Sequence, residues 1–206
     1  MFILTQAGWL NNSKDNIYRV QDAQLEKQYL DAGCQRYERS YQIKEQHKEY
    51  TLICPEFRND TKDAEPIVII PEFFVPGRPY PVYVYLYAID LYSCAPEKGQ
   101  RQAAEETRKF FGLTTFAHTT LGRALKTFVH IIGECVMTPD EPRTETAIDG
   151  ETKLSGFPTV QATGKFRQQA TSFLRGMLTR TGLQQVVTAC CELVKKWFTE
   201  YGHFLL

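Results

Sequence analysis

Two helix-patterned segments either side of a glycine, within residues 100–128 (QRQAAEETRKFFGLTTFAHTTLGRALKTF), constrain this chain more than any other stretch. The first, from about Lys98 to Phe111, carries Ala103 and Ala104, which are small enough to let a neighbouring helix approach closely. Gly112 supplies the backbone freedom that a sharp turn at Phe111-Gly112-Leu113 demands. Thr114 or Thr115 is placed to cap a second helix. On that helix Ala117, Leu121, Ala124, Leu125, Phe128 and Ile132 share one face at helical spacing. At about 100° per residue the opposite face is Thr115, Thr119, Arg123, Lys126 and His130, with no carboxylate before Glu134. The pattern predicts a helix-turn-helix, an element that either reads DNA or serves as plain packing.

The outward face has the chemistry that groove reading requires. An arginine can donate two hydrogen bonds to guanine O6 and N7, a threonine can meet a thymine methyl or a phosphate, and a lysine neutralises phosphate. Thr115, Thr119, Arg123 and Lys126 are therefore the candidate reading residues. Arg101, Arg108 and Lys109 on the preceding helix are candidates for contacts to the DNA backbone. The competing expectation is a solvated helix face with an ordinary charge mix.

The formal net charge is zero, so composition gives no global sign of a nucleic-acid partner. Charge is segregated locally, however. Residues 97–130 hold six Lys/Arg against three Asp/Glu, residues 163–206 hold six against two, and residues 138–153 hold two against five. This is the arrangement of basic faces joined by an acidic connector. No run approaches the roughly 18 apolar residues of a membrane-spanning helix. The N-terminal stretch lacks the basic start and apolar core of a signal peptide. The expectation is a cytoplasmic chain with no membrane partner, whose six cysteines are reduced thiols.

Ahead of the helical pair the pattern is β-rich. Tyr37, Ser40, Tyr41 and Ile43 lie in one strand-like run, and residues 50–54 (YTLIC) form another beyond the polar connection 44–49, which predicts a hairpin. Residues 67–70 (IVII) have the continuous apolar character of a buried strand. The passage PEFFVPGRPYP reads as a connector kept ordered by Phe73, Phe74 and Tyr80. Residues 82–92 (VYVYLYAIDLY) fit strand by composition and helix by length and spacing; the helix is favoured. Residues 1–31 have no assigned role. Beyond residue 137, a Pro/Gly-containing linker gives way to two amphipathic helices. Phe166, Ala170, Phe173, Leu174, Met177 and Leu178 mark the first; Leu183, Val186, Val187, Cys190, Val194, Trp197, Phe198 and Tyr201 mark the second. Their spacing implies core or dimer packing.

In sum, the chain is expected to be α+β and mostly α. It would comprise a β-rich region (1–80), a helix-turn-helix unit (81–137), a linker or long loop (138–162) and a C-terminal helical pair (163–206).

Cys34 and Cys54 have 19 residues between them, within the spacing of the two knuckles of a four-cysteine zinc ribbon. A ribbon needs a second cysteine three positions from each, and Asp31 and Phe57 stand there instead. The expectation is a metal-free hairpin, because a structural zinc site closes with four ligands.

This order of parts resembles the N-terminal DNA-binding region of bacterial insertion-sequence transposases and of short stand-alone relatives. The resemblance rests on the ribbon-like hairpin, IIPEFFVPGRPYP, a helix, then QRxAAExTRxxFGL and HTTLGRALK, and it spans residues 33–128. Gly112-Leu113 and Thr120-Leu121-Gly122-Arg123 are similar to the family's G-[VIL]-S…T-V-x-R arrangement, with about three extra residues between the two parts. The resemblance implies double-stranded DNA as partner. The 78 residues after Phe128 are too few and too helical for the nuclease domain of a transposase, which needs three separated acids to bind metal.

Other chemistry is not patterned here. No phosphate-binding glycine loop occurs. Cys94, Cys135, Cys190 and Cys191 have no histidine at a local motif spacing, and His118 and His130 have no nucleophile beside them. The expected function is non-catalytic DNA binding, with no cofactor, metal or small-molecule substrate, and possible homodimerisation through the C-terminal helices. The alternative is an interaction or oligomerisation module in which the helix-turn-helix is scaffold.

Overall fold

The computed structural model describes residues 1–5, 15–59, 64–138, 160–161, 166–174 and 183–206. These residues divide into two compact units. The first comprises 1–84 together with 108–115, and the second comprises 85–107 together with 116–206. Among the described residues there are six helices, one five-stranded sheet and one two-stranded sheet, an α+β composition.

The first unit is built on the predicted hairpin. Strands β3 (Gln35–Glu45) and β4 (Lys48–Arg58) pair antiparallel along their whole length, from Gln35 opposite Arg58 to Glu45 opposite Lys48. The connection is tighter than the polar run 44–49 implied: Lys44, Glu45, Lys48 and Glu49 all sit in strands. Only Gln46 and His47 form the turn, with Gln46 in the left-handed region at φ 52°. The far edge of β4 is shared by two partners in succession. Strand β2 (Ile17–Arg19) runs parallel to Thr51–Ile53, and β5 (Ile67–Pro71) pairs antiparallel at Glu56 and Phe57. Pro55 falls between these two pairings, where its missing N–H removes no ladder bond.

Strand β5 is central. It carries β1 (Phe2–Thr5) parallel on its other edge, and its Val68, Ile69 and Ile70 are buried, as a continuous apolar strand requires. The N-terminal region, left without a role by its sequence, thus supplies two strands and helix α1 (Ala23–Asp31). Asp22 caps α1, its Oδ1 accepting from the Leu25 N–H at 3.0 Å while its Oδ2 accepts from Thr5 at 2.6 Å. The connector after β5 is ordered as expected, with Phe73, Phe74, Val75 and Tyr80 buried.

Helix α2 (Val82–Cys94) is predominantly apolar, and residues 82–86 with Ala88, Ile89 and Ser93 are buried. The scarcity of polar residues explains why its composition also fitted a strand, since no polar face marks a period. Helix α3 (Gln100–Phe110) ends on Gly112 at φ +63°. The Leu113 N–H bonds the Arg108 carbonyl and the Gly112 N–H bonds the Lys109 carbonyl, the paired closure of a glycine C-cap.

The second unit is helical. Helix α4 (His118–Val136) buries Leu121, Ala124, Leu125, Phe128, Val129 and Ile132. Helices α5 (Phe166–Leu174) and α6 (Leu183–Tyr201) complete the core, where the Phe173 ring lies 5.5 Å from Phe128 and 5.6 Å from Trp197. Arg167 of α5 donates to the Ala95 and Lys98 carbonyls beyond the end of α2 and stacks over Tyr92 at 4.4 Å. Ala170, Phe173 and Leu174 of α5 and Val186, Val187, Cys190, Val194 and Trp197 of α6 are buried within the unit. Strands β6 (Met137–Thr138) and β7 (Val160–Gln161) form the small parallel sheet. Met177, Leu178 and nearly all of the predicted linker lie outside the described residues.

Candidate nucleic-acid interface

The segment between α3 and α4 differs from the expected tight turn. Seven residues, 111–117, connect the helices, and α4 starts at His118 rather than at Thr114 or Thr115. The reason is tertiary. The Tyr80 hydroxyl donates to the Thr115 carbonyl at 2.5 Å and lies 2.9 Å from its Oγ1. The Thr114 N–H is drawn to the Gln46 carbonyl at 3.4 Å. Thr115 is thus held in the connection and is not on the face of α4, and Ala117 is exposed rather than part of the apolar face.

The other candidates on α4 are where the pattern placed them. Thr119, Arg123 and Lys126 are exposed along one face of the second unit, continuing to His130. Among the described residues neither Arg123 nor Lys126 has an acidic partner, whereas His130 lies 3.4 Å from Glu134. The close approach that lets α4 seat beside α3 is made at Gly122, where a Cβ would stand 3.1 Å from the Gln100 side-chain oxygen. Arg101 is exposed on α3 in the same unit. Arg108, Lys109 and Thr115 belong to the first unit, Arg108 half-buried and Lys109 and Thr115 exposed. The seven candidates therefore fall into two groups: Arg101, Thr119, Arg123 and Lys126 in one unit, and Arg108, Lys109 and Thr115 in the other.

The two ribbon-like cysteines are not brought together. Cys54 pairs with Arg39 in the ladder, whereas Cys34 precedes Gln35 at the far end. Five positions along a strand separate them, on the order of 16 Å at about 3.3 Å per residue. Burial also pushes the Cys54 thiol up to about 12, so it is held as an inert neutral group. Among the described residues no group of three or more His, Cys, Asp or Glu side chains is arranged to hold a metal.

One pairing has no local sequence signal. Cys135 at the end of α4 and His203 after α6 approach to 3.3 Å, Sγ to Nε2, across 68 residues. His203 Nδ1 lies 3.2 Å from the Phe204 carbonyl, which can only accept, so Nδ1 carries the hydrogen. Burial, with the Glu134 carboxylate second, pushes the Cys135 thiol up. Cys190 is fully enclosed and pushed well up by burial.

The polar end of the hairpin is an ion cluster. Buried Glu56 accepts from Arg39 at 2.5 Å and from Arg58 at 2.6 Å, and Arg58 lies over the Tyr37 ring at 4.7 Å. No helix among the described residues is long and apolar enough to cross a membrane. Comparison with protein-family models, curated proteins and solved structures finds no match to this chain.

Proposed function

We propose that this is a non-catalytic, cytoplasmic DNA-binding protein of transposase-like or transcription-regulator type. In this reading α3 and α4 act as a helix-turn-helix with a lengthened connection, and α4 is the recognition helix. Thr119, Arg123 and Lys126 meet the major groove, and Arg101 contacts the backbone of double-stranded DNA. The observation that carries the reading is the α4 face itself: hydroxyl and cationic side chains, exposed, without a carboxylate from His118 to His130. A face built only for solubility would ordinarily mix both signs along its length.

Fluorescence polarisation with genomic DNA fragments tests this. Binding should weaken steeply as salt rises, because displaced counterions drive association. Arg123→Ala should lower the preference for a selected site by about 1–3 kcal/mol while weakening non-specific binding less. Sequence preference unchanged in Arg123→Ala would remove that residue from the reading set. No binding to any duplex would end the proposal.

A further inference from the structure

The first unit carries a second cationic feature. The tip of the β3–β4 hairpin, Tyr80 and residues 114–115 line an open cleft of about 240 Å³. Lys44 and Lys48 both line it. The cross-strand neighbour of Lys44 is Glu49, the one acid in the lining, yet neither lysine forms an ion pair among the described residues. His47 Nδ1 stands 3.4 Å from Thr114 Oγ1. Either tautomer of that imidazole leaves the pair with one N–H or O–H to offer, since whichever group donates within the pair, the other retains its hydrogen. The Tyr80 phenol has a single proton and gives it to the Thr115 carbonyl, so the Thr115 hydroxyl is the donor in the 2.9 Å contact back to Tyr80. Tyr80 is thus a positioning residue that holds Thr115 in the lining of the cleft.

We propose that this cleft binds a phosphate group. Lys44, Lys48 and a hydroxyl–imidazole donor line a space several times the roughly 30 Å³ share of one water, enough for a tetrahedral oxyanion that keeps part of its hydration. An acidic or neutral ligand of another shape would gain less. The lysines act as point charges, and the His47–Thr114 pair supplies the one directional donor. The phosphate group can be a free anion or the phosphodiester of a nucleic-acid backbone, and the cleft chemistry is the same for both. The cleft chemistry does not depend on α4 reading DNA.

The test is a titration of the full chain with inorganic phosphate at constant ionic strength, followed by amide chemical shifts. Saturable shifts should concentrate at residues 44–49 and 114–115. The Lys44→Gln/Lys48→Gln double variant should weaken binding about tenfold or more, from the loss of charge-assisted hydrogen bonds. Glu49→Gln should tighten it, a gain that no loss of folding can imitate. Shifts that are scattered, or that chloride reproduces, overturn the proposal, as does a Glu49→Gln variant that binds no better than the parent. A parallel titration with a short duplex identifies the source. If the double variant loses duplex affinity as well, the ligand is backbone phosphodiester; if duplex binding is unchanged while phosphate binding is lost, it is a small phosphate. Because the phosphate arm contains no DNA, failure of the α4 reading and failure of this cleft are separately visible.

Discussion

Glu45 and Glu56 lie on one face of the β3–β4 hairpin, both are buried, and their environments act on them in opposite directions. Burial raises the Glu45 carboxyl and the Tyr83 hydroxyl, which donates to it, only partly offsets this. Its folded value exceeds its unfolded one. The stability it contributes is therefore full below the ordinary carboxylate range and is lost as pH rises through the raised value. Glu45→Gln should flatten that loss in urea unfolding measured over a pH series, and Tyr83→Phe, which strips the buried carboxyl of its donor, should cost about 1–3 kcal/mol. Burial also works to raise Glu56, but Arg58 and Arg39 outweigh it and the net shift is downward. Its contribution is present above the ordinary range and is lost as pH falls through the lowered value. Glu56→Ala should cost about 1–2 kcal/mol. That is less than a fully buried pair would lose, because Arg39 and Arg58 remain 39% and 56% exposed and water can take up their charge. An alternating strand pattern shows that these positions face inward. It does not show which cation or phenol waits there.

At the scale of elements, legibility followed locality. Gly112 was readable as a helix stop because a left-handed residue just past a helix end is a backbone requirement that glycine meets alone without strain. Gly112→Ala has open space for its Cβ and should still destabilise by about 1–2 kcal/mol in thermal or urea unfolding, all of it backbone conformation. The start of α4 was not readable. Two threonines offered a cap, but both are engaged by residues distant in sequence, Tyr80 and Gln46, and the helix begins three residues beyond Thr115. The hairpin was legible as two strands, and its turn was misjudged because charged residues at a hairpin end look like loop in sequence. Helices α5 and α6 were legible as amphipathic. Whether their stripe met the chain's own core or a second copy was not, since both uses demand the same spacing.

For the molecule as a whole, a formal net charge of zero means that any attraction to DNA is local and short-ranged. Lys126→Gln should then reduce the slope of log affinity against log salt by about 1, with little change in sequence preference. A slope unmoved by this change would place Lys126 outside the DNA contact. The candidate face of α4 was legible because helical periodicity alone assigns Thr119, Arg123 and Lys126 to one side and the apolar residues to the other. The sequence by itself determined the identity of the long elements, their buried stripes and the glycine that ends α3, since these follow from backbone geometry and 2.0- and 3.6-residue periods. Only the tertiary structure decided that Thr115 leaves α4, that Cys34 and Cys54 lie far apart on one hairpin, and that lysines at a strand end face threonines 66 or more residues away. Those outcomes depend on contacts between distant segments, and no local pattern encodes which distant side chain will arrive.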